Sequence, residues 1–407
     1  MISKGDTAWM LMSTALVMLM TPGLAFFYGG MVRRKNVLGT LMHSFAAIAI
    51  VSIQWMLFGY SLAFGPDVKG IIGNLDWVAL RNVGLLPNPA YAPTVPHLAF
   101  MIYQAMFAVI TPALISGAFA ERMKFSAYVV FVLLWSTLVY DPVAHWIWGA
   151  GGWLKGLGVL DFAGGLVVHA TSGFSALAAA LFIGRRKDLS REPMPPHNLP
   201  MTVIGAGLLW FGWFGFNAGS ALSSGQLSTL AFVTTHAAAV AATATWIVIE
   251  WLHRGKPTVF GAVTGSIAGL ATITPAAGFV GPDAALAIGV LAGGICYAAL
   301  NLKPKLGYDD SLDAFGVHGV GGATGTLCLG LFAALAVNPA GANGLFLGNA
   351  QQFYIQLGAV ALVAAYSFIV SLVILKIVDV IVGLRISPDY EDNGLDISLH
   401  GEEGYYL

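Results

Sequence analysis

The sequence contains eleven apolar runs, each long enough to cross a lipid bilayer as a helix. A transmembrane helix needs about 20 mostly apolar residues to span the roughly 30 Å hydrocarbon core. Only 10% of the 407 residues are charged, against about 25% in typical soluble proteins. We therefore predict an all-α polytopic membrane protein with spans near residues 7–31, 38–64, 98–120, 125–145, 162–184, 200–222, 227–252, 258–276, 284–302, 309–335 and 351–384.

The basic residues lie mostly on one side of these spans. With the N-terminus outside, 15 of the 19 Lys and Arg residues fall on the inner side, and cytoplasmic loops are enriched in positive charge. The sequence thus predicts an outer N-terminus, a membrane domain over 1–384 and a polar cytoplasmic tail over 385–407. The inner residues are Arg33, Arg34, Lys35, Arg122, Lys124, Arg185, Arg186, Lys187, Arg191, Arg254, Lys256, Lys303, Lys305, Lys376 and Arg385.

Ten of the eleven predicted helices resemble two related halves, followed by one final helix. The fifth span contains Asp161 followed by His169, and the tenth contains Asp313 followed by His318. Because each half has an odd number of helices, the second five-helix repeat must be inverted relative to the first. Inverted repeats are typical of transporters, in which the substrate path runs between the halves near the middle of the membrane.

Histidine is the main ionisable residue type predicted in the membrane interior. Buried charges are costly there, and the acidic residues cluster near the predicted helix ends. We interpret His43 and His236 as structural side chains that form hydrogen bonds. His169 and His318 each lie about 12–13.5 Å of helix from acidic residues near the helix starts, so we predict that they meet near mid-membrane. A metal site would need further ligands, and none lies at suitable spacing.

Phe107 and Phe216 are predicted to lie at similar depth below the outer face. Most aromatic residues of a membrane protein belong to the core or to the interfacial belts, so composition alone favours a structural role for this pair. Asp161 is suited to cap the fifth helix, where its carboxylate would accept backbone N–H bonds and interact favourably with the helix dipole. In that position we expect Asp161 also to shape the outer vestibule.

At these residues the chain resembles the ammonium transporter family, the Amt/MEP/Rh superfamily, on its bacterial and archaeal Amt side. The resemblance covers essentially the full length, and the motifs occur in the family's order. The matching segments are Thr21-Pro22-Gly23, Phe27-Tyr28-Gly29-Gly30, Arg34-Lys35-Asn36, residues 144–149, residues 161–165 with His169, residues 196–200, 212–220, 273–276, 313–319, 383–385 and 394–396.

The resemblance implies a homotrimer in the cytoplasmic (plasma or inner) membrane, with one ammonium-conducting pore in each subunit and a role in nitrogen uptake. Trp148 and Ser220 would form an outer recruitment site for ammonium or its analogue methylammonium, with Phe107 beside it, Tyr103 nearby and Asp161 beneath. Tyr103 stands where phenylalanine is common in the family, so its hydroxyl is expected to tune this site.

The same resemblance implies a path below the recruitment site. Phe107 and Phe216 would be stacked gates, and His169 and His318 would line the lumen. Ammonium would lose its proton before ammonia crosses the hydrophobic pore, with the proton relayed separately. Relatives of this kind are blocked at the cytoplasmic face by a trimeric PII signalling protein of the GlnK type, and the basic inner loops and acidic tail here fit such docking.

Three other functions compete with this interpretation: an ammonium sensor, a gas channel and a membrane enzyme. An ammonium sensor without significant flux would usually have an additional cytoplasmic signalling domain, for which a tail of about 23 residues leaves little room. An Rh-type gas channel would be insensitive to substitution of Trp148. A membrane enzyme is disfavoured because no nucleophile–base set stands out. No cofactor, metal or nucleic-acid partner is expected.

Overall fold

The computed structural model describes residues 1–187, 189 and 194–405, and over these residues it confirms the all-helical membrane architecture. Ten helices are long and apolar enough to cross a membrane, and the remaining span is a shorter apolar helix. Arg191 and the last two residues of the predicted tail lie outside the described residues. In chain order the spans are α1 (Lys4–Met31), α2 (Arg34–Phe64), α3 (His97–Ala118), α4 (Phe125–Gly156), α5 (Gly165–Ile183), α6 (Leu199–Ala218), α7 (Gln226–Arg254), α8 (Val259–Ile273), α9 (Pro282–Leu306), α10 (Phe315–Phe332) and α11 (Ala350–Val382).

The two ends of the chain contact opposite faces of the helix bundle. Near the N-terminus, the Ser3 N–H donates to the Thr94 carbonyl in the long outer connection between α2 and α3 (2.9 Å). At the other face, the Lys124 N–H donates to the Leu384 carbonyl at the start of the tail (2.9 Å). The outer connection includes a short antiparallel sheet of β1 (Asp67–Val68) and β2 (Ile72–Gly73). This arrangement agrees with an odd number of spans.

Glycine allows equivalent helices of the two halves to approach closely. A Cβ atom at Gly205 on α6 would lie 2.2 Å from the Phe27 nitrogen of α1, and one at Gly173 on α5 would lie 2.0 Å from the Gly319 nitrogen of α10. Real Cβ atoms do not tolerate such distances, and small residues at helix crossings are typical of membrane proteins. The α1–α6 and α5–α10 crossings therefore bring the two repeats together around one central region.

Three spans contain a π-helical turn in that central region. In a π-helix the backbone hydrogen bond reaches one residue further than in an α-helix, and such turns occur often at functional sites. Each of the three turns includes one predicted pore residue: His169, Phe216 or His318. The turns are Gly165–Ala170 in α5, Phe214–Ala218 in α6 and Phe315–Gly319 in α10.

The predicted boundaries of two spans differ from the structure at positions that bear on the site. The tenth span was predicted over 309–335, but α10 is Phe315–Phe332 because the preceding residues form a loop. The fourth span was predicted to end at residue 145. The span extends further, and Trp148 lies at the end of its helical segment Asp141–Trp148 rather than in a connection.

The tail folds back against the inner ends of the helices. It contains α12 (Pro388–Asn393) and a π-helical turn over Asp396–His400. The Asp396 carboxylate accepts hydrogen bonds from the N–H groups of Leu38 and Gly39 (3.0 and 2.8 Å). A carboxylate at this position also interacts favourably with the N-terminal end of the helix dipole of α2. The tail is thus fastened to the start of α2.

Ion pairs join the inner loops to one another. The Glu121 carboxylate accepts from the guanidinium groups of Arg33 (3.0 Å) and Arg186 (3.2 Å), and Arg186 also pairs with Asp309 (2.9 Å). Burial alone would raise the pKa of Glu121, but the charges of Arg186 and Arg33 hold that pKa below its usual value. The inner face is therefore held together by paired charges rather than by apolar packing alone.

Candidate functional site

A cavity of about 440 Å³ lies at the outer ends of the spans. Its wall includes Trp148 from α4, Asp161 from the segment before α5, and Ser220 from the segment after α6. Gln104 of α3 also lines this cavity, and its Oε1 atom is buried without a hydrogen-bond partner among the described residues. The cavity thus combines an aromatic face with oxygen atoms that can accept hydrogen bonds.

The Tyr103 hydroxyl lies beside the hydroxyl of Ser220, which lines this cavity. The Tyr103 hydroxyl donates towards the Phe216 carbonyl (2.8 Å), and the Ser220 hydroxyl donates to the same carbonyl (2.9 Å), while the two hydroxyl oxygens are 3.2 Å apart. A hydroxyl has one donor and two acceptor sites. With its proton directed to a backbone carbonyl, Ser220 retains acceptor capacity for an N–H donor.

Two phenylalanine rings lie between Trp148, which lines the cavity, and His169. The ring centroids of Phe107 and Phe216 are 4.3 Å apart, with an angle of 32° between the planes. The Trp148 ring meets Phe107 edge to face at 5.9 Å, and the Tyr103 ring meets Phe107 at 5.0 Å. Both phenylalanines are almost completely buried. The aromatic residues predicted for recruitment and for gating are therefore one continuous cluster.

The two histidines lie below the phenylalanine pair. The Nδ1 atoms of His169 and His318 are 3.2 Å apart, and the rings are nearly parallel at 5.2 Å between centroids. The His169 ring also lies 6.0 Å from the Phe216 ring. One Nδ1 must donate and the other accept, so the two imidazoles adopt different tautomers if both are neutral. The pair is thus ordered by its own hydrogen bond.

The space beside the histidines is narrow and apolar. Both imidazoles border a cavity of about 10 Å³ with Leu24, Leu114 and Trp213 in its wall. This volume corresponds to about one water-sized molecule. A second cavity of similar volume continues on the inner side of His318 and reaches Asp313. The described residues therefore form a string of small cavities between the outer vestibule and the inner loops.

Asp161 caps α5 with both carboxylate oxygens. Oδ1 accepts from the N–H groups of Gly164 and Gly165 (2.8 Å each), and Oδ2 accepts from those of Leu166 (2.8 Å) and Val167 (3.1 Å). The Asp161 carbonyl accepts from the Trp148 indole N–H (2.9 Å). The capping role expected from the sequence is present, and the same residue holds the Trp148 ring in place.

The prediction that Asp313 corresponds to Asp161 was wrong. Asp310, eight residues before His318, accepts from the N–H groups of Ala314 (3.1 Å) and Phe315 (2.8 Å). Asp313 instead pairs with Lys303. Helix capping requires a carboxylate placed just before the first turn, and Asp310 satisfies this condition in the second repeat as Asp161 does in the first.

The other interior histidines lie apart from the pair. The His43 ring packs on Tyr128 (4.4 Å between centroids), and the His236 ring lies 5.5 Å from Trp210. Among the described residues, no group of three His, Cys, Asp or Glu side chains is arranged to hold a metal ion.

A buried carboxylate that was expected near a helix end, Asp141, lies inside α4 and accepts from the Gln54 amide (2.7 Å).

Two polar residues of this region, Gln104 and Asp310, were not singled out from the sequence. Gln104 is an amide within an apolar span, three residues before Phe107 and therefore on a similar face of α3. The three-residue spacing from Phe107 could therefore have pointed to Gln104. The role of Asp310 could have been found from its eight-residue distance to His318, which equals the distance from Asp161 to His169.

Comparison with known proteins identifies the family. The family model described as Ammonium Transporter Family matches residues 8–405. An ammonium transporter of Bacillus subtilis is 54% identical over 405 residues, which cover 99% of both chains. The chain belongs to the ammonium transporter family. Ammonium transporter Amt1 of Archaeoglobus fulgidus is 49% identical over 404 residues, covering 99% of this chain and 100% of that protein.

Several solved structures have the same fold. The crystal structure of Saccharomyces cerevisiae Mep2 matches with a TM-score of 0.90 and 38% identity over 95% of this chain and 88% of that chain. A structure described as a sensor Amt protein matches with a TM-score of 0.88 and 30% identity over 97% and 98% of the two chains. The family and these structures support ammonium transport by a multi-pass membrane protein, and members of the family are transporters rather than enzymes.

Proposed function

We propose that this ammonium transporter recruits ammonium at the outer aromatic cavity, removes one proton there and conducts neutral ammonia past the histidine pair. The supporting observation is the order in which the outer cavity, the phenylalanine pair and the lumen cavity follow one another. A cavity of about 440 Å³ is separated by the Phe107–Phe216 pair from a lumen cavity of about 10 Å³ beside the histidines. A hydrated cation fits only the first of these spaces.

Recruitment follows from the chemistry of the outer cavity. Ammonium is similar in size to potassium, so size alone cannot select it, but ammonium donates hydrogen bonds. Trp148 and Phe107 offer aromatic rings to a cation, an interaction of about 0.5–2 kcal/mol per contact. Ser220 and Gln104 would accept N–H bonds that potassium cannot donate. Asp161 would keep Trp148 in position from beneath.

Loss of the proton follows from the chemistry of the lumen. Leu24, Leu114 and Trp213 leave little polar contact for a bare cation beside the histidines, and an unpaired charge in such surroundings is very unfavourable. Neutral ammonia can both donate and accept hydrogen bonds to imidazole nitrogens. The His169 Nε2 atom has no partner among the described residues, so it is available to the transported molecule. The hydrogen-bonded pair also offers a route for the separate proton.

Reconstitution into liposomes tests this function. Ammonium pulses are applied to vesicles adsorbed on a solid-supported membrane, with potassium pulses as the control. A transient current with ammonium and none with potassium supports selective transport with net charge movement. Internal alkalinisation without current supports conduction of neutral ammonia alone, and then the separate proton relay is wrong.

A sensor is the second candidate, because a sensor Amt protein shares the fold with a TM-score of 0.88. A sensor would bind ammonium at the outer cavity without significant flux. Binding of methylammonium in the absence of both current and alkalinisation would favour this alternative over the proposed transport.

We also propose that the chain assembles as a homotrimer in the plasma or inner membrane, with a conducting domain over 1–384 and a regulatory tail over 385–407. Docking of a PII protein of the GlnK type at the inner face is supported by exposed acidic side chains of the tail, namely Asp389, Asp392, Glu402 and Glu403. Pull-down from membrane extracts at varied ATP and 2-oxoglutarate tests the docking. Failure to capture a PII protein in every condition would contradict it.

A further inference from the structure

The last helix, α11, lies outside the two repeats but reaches the recruitment site with its outer end. Gln352 and Gln356 occupy adjacent turns of this helix, and both are buried. Gln352 also lines the outer cavity. In a largely apolar helix, two buried amides need specific partners, and these partners are in the segment that leads to Asp161.

Gln356 binds both backbone polar groups of Leu160. Its Nε2 donates to the Leu160 carbonyl (2.7 Å), and its Oε1 accepts from the Leu160 N–H (2.9 Å). Gln352 supports this arrangement, because its Nε2 donates to the Gly158 carbonyl (3.0 Å) and to the Gln356 Oε1 (3.3 Å). One side chain therefore pairs with both backbone polar groups of Leu160, as a residue of a neighbouring strand would.

The fixed residue is the immediate neighbour of Asp161. The Asp161 carbonyl accepts the Trp148 indole N–H, and the Asp161 carboxylate accepts four backbone N–H groups of α5. A shift of Leu160 would move both the carbonyl under Trp148 and the cap of α5. Gln356 therefore affects the position of the Trp148 ring through the backbone of only two residues, Leu160 and Asp161.

We propose that Gln356 is a positioning residue for ammonium recruitment, acting through Leu160 and Asp161 on Trp148. This inference rests on the proposed function, in which Trp148 contacts the cation. Removing the Gln356 amide leaves a buried N–H and a buried carbonyl without partners, so the segment must rearrange or admit water. Affinity for ammonium would then fall while the lumen, which Gln356 does not contact, keeps its capacity.

The matched variants are Gln356→Leu and Gln351→Leu in the full-length protein in proteoliposomes. Gln351 is an exposed glutamine of the same helix, so its replacement controls for loss of an amide from α11. We expect Gln356→Leu to raise the half-saturating ammonium concentration five- to thirtyfold, with the maximal current within twofold of wild type. Gln351→Leu should change neither quantity by more than twofold.

A double-mutant comparison separates positioning from general stability. Trp148→Phe removes the indole N–H, so Gln356→Leu should have less than a twofold effect on affinity in that background. If Gln356→Leu does not fold, Gln356→Met, which is close to glutamine in length and also lacks the amide, should give a shift in the same direction.

Three results would overturn the positioning role. They are an unchanged half-saturating concentration in both Gln356 variants, a loss of maximal current alone, or the full Gln356→Leu effect persisting in the Trp148→Phe background. Failure of the proposed function is recognised separately: Trp148→Phe would then itself leave ammonium affinity unchanged. A shift with Trp148→Phe and none with the Gln356 variants refutes only the positioning role.

Discussion

Replacing Asp161 by asparagine removes a charge and one acceptor at the outer end of α5. The carboxylate accepts four backbone N–H bonds, two at each oxygen, from Gly164, Gly165, Leu166 and Val167. Asparagine keeps one carbonyl oxygen and places an NH₂ group at the other position. Two backbone N–H donors then face a donor and lose their partner.

The size of the effect follows from these two lost bonds. Hydrogen bonds to charged groups contribute about 1.5–3 kcal/mol each, so the loss is roughly 3–6 kcal/mol. The Trp148 indole is bonded to the Asp161 carbonyl (2.9 Å), which connects this disruption to the recruitment cavity. If about 1.4 kcal/mol is transmitted to the bound cation, the half-saturating ammonium concentration rises tenfold.

Asp283→Asn is the matched control for Asp161→Asn. Asp283 lies in the first turn of α9 and is exposed to solvent, so its replacement removes a helix-start carboxylate without burying unpaired groups. Both variants are measured by thermal unfolding in detergent and by ammonium currents on a solid-supported membrane. We expect Asp161→Asn to lower the melting temperature and to raise the half-saturating concentration at least tenfold, and Asp283→Asn to do neither.

Two outcomes would refute this reasoning in different ways. Wild-type melting temperature and affinity in Asp161→Asn would show that the four N–H groups do not need a charged acceptor. A lowered melting temperature with wild-type affinity would restrict Asp161 to capping α5 and would break the proposed connection from Asp161 to Trp148.

Three further predictions concern the path itself. Phe216→Ala removes one ring of the 4.3 Å pair with Phe107; we expect selectivity over potassium to fall in the current assay, and unchanged selectivity would argue against a gate. His318→Leu removes the hydrogen bond to His169; we expect at least tenfold less ammonium current or a new potassium current, and wild-type behaviour would contradict the lumen pair. Lys155→Gln removes a charged ammonium group that donates to the Trp148 carbonyl, and we expect about twofold higher affinity for ammonium at low salt. This difference in affinity should shrink at 0.15 M salt, where the Debye length falls to about 8 Å. A change in affinity that does not depend on salt would exclude an electrostatic cause.

The span pattern was predictable because lipid imposes it directly. A helix must be long and apolar enough to cross the hydrocarbon core, and basic residues must remain on the inner side. These requirements act on each segment separately, so they are visible without knowledge of neighbouring segments. The shorter α8 (Val259–Ile273) was still recognised because the apolar sequence extends beyond the helix itself.

The cap of the second repeat's helix could not be assigned from the sequence, for a local reason. Asp309, Asp310 and Asp313 lie close together in the sequence, and any of them could precede a helix. The cap is decided by which carboxylate meets free N–H groups, and α10 begins only at Phe315. Asp310 reaches those groups, whereas Asp313 turns towards Lys303.

The sequence by itself determined the membrane class and the family, and it predicted the orientation and the residues of the path by type and order. Only the tertiary structure decided which atoms meet. His169 and His318 are 149 positions apart, and their contact depends on the rotation of α5 and α10 at π-helical turns that no hydrophobic period encodes. The bond between Gln356 and Leu160 likewise joins segments 196 positions apart. Such contacts are set by packing between helices, whereas sequence periodicity reports only the environment of each helix taken alone.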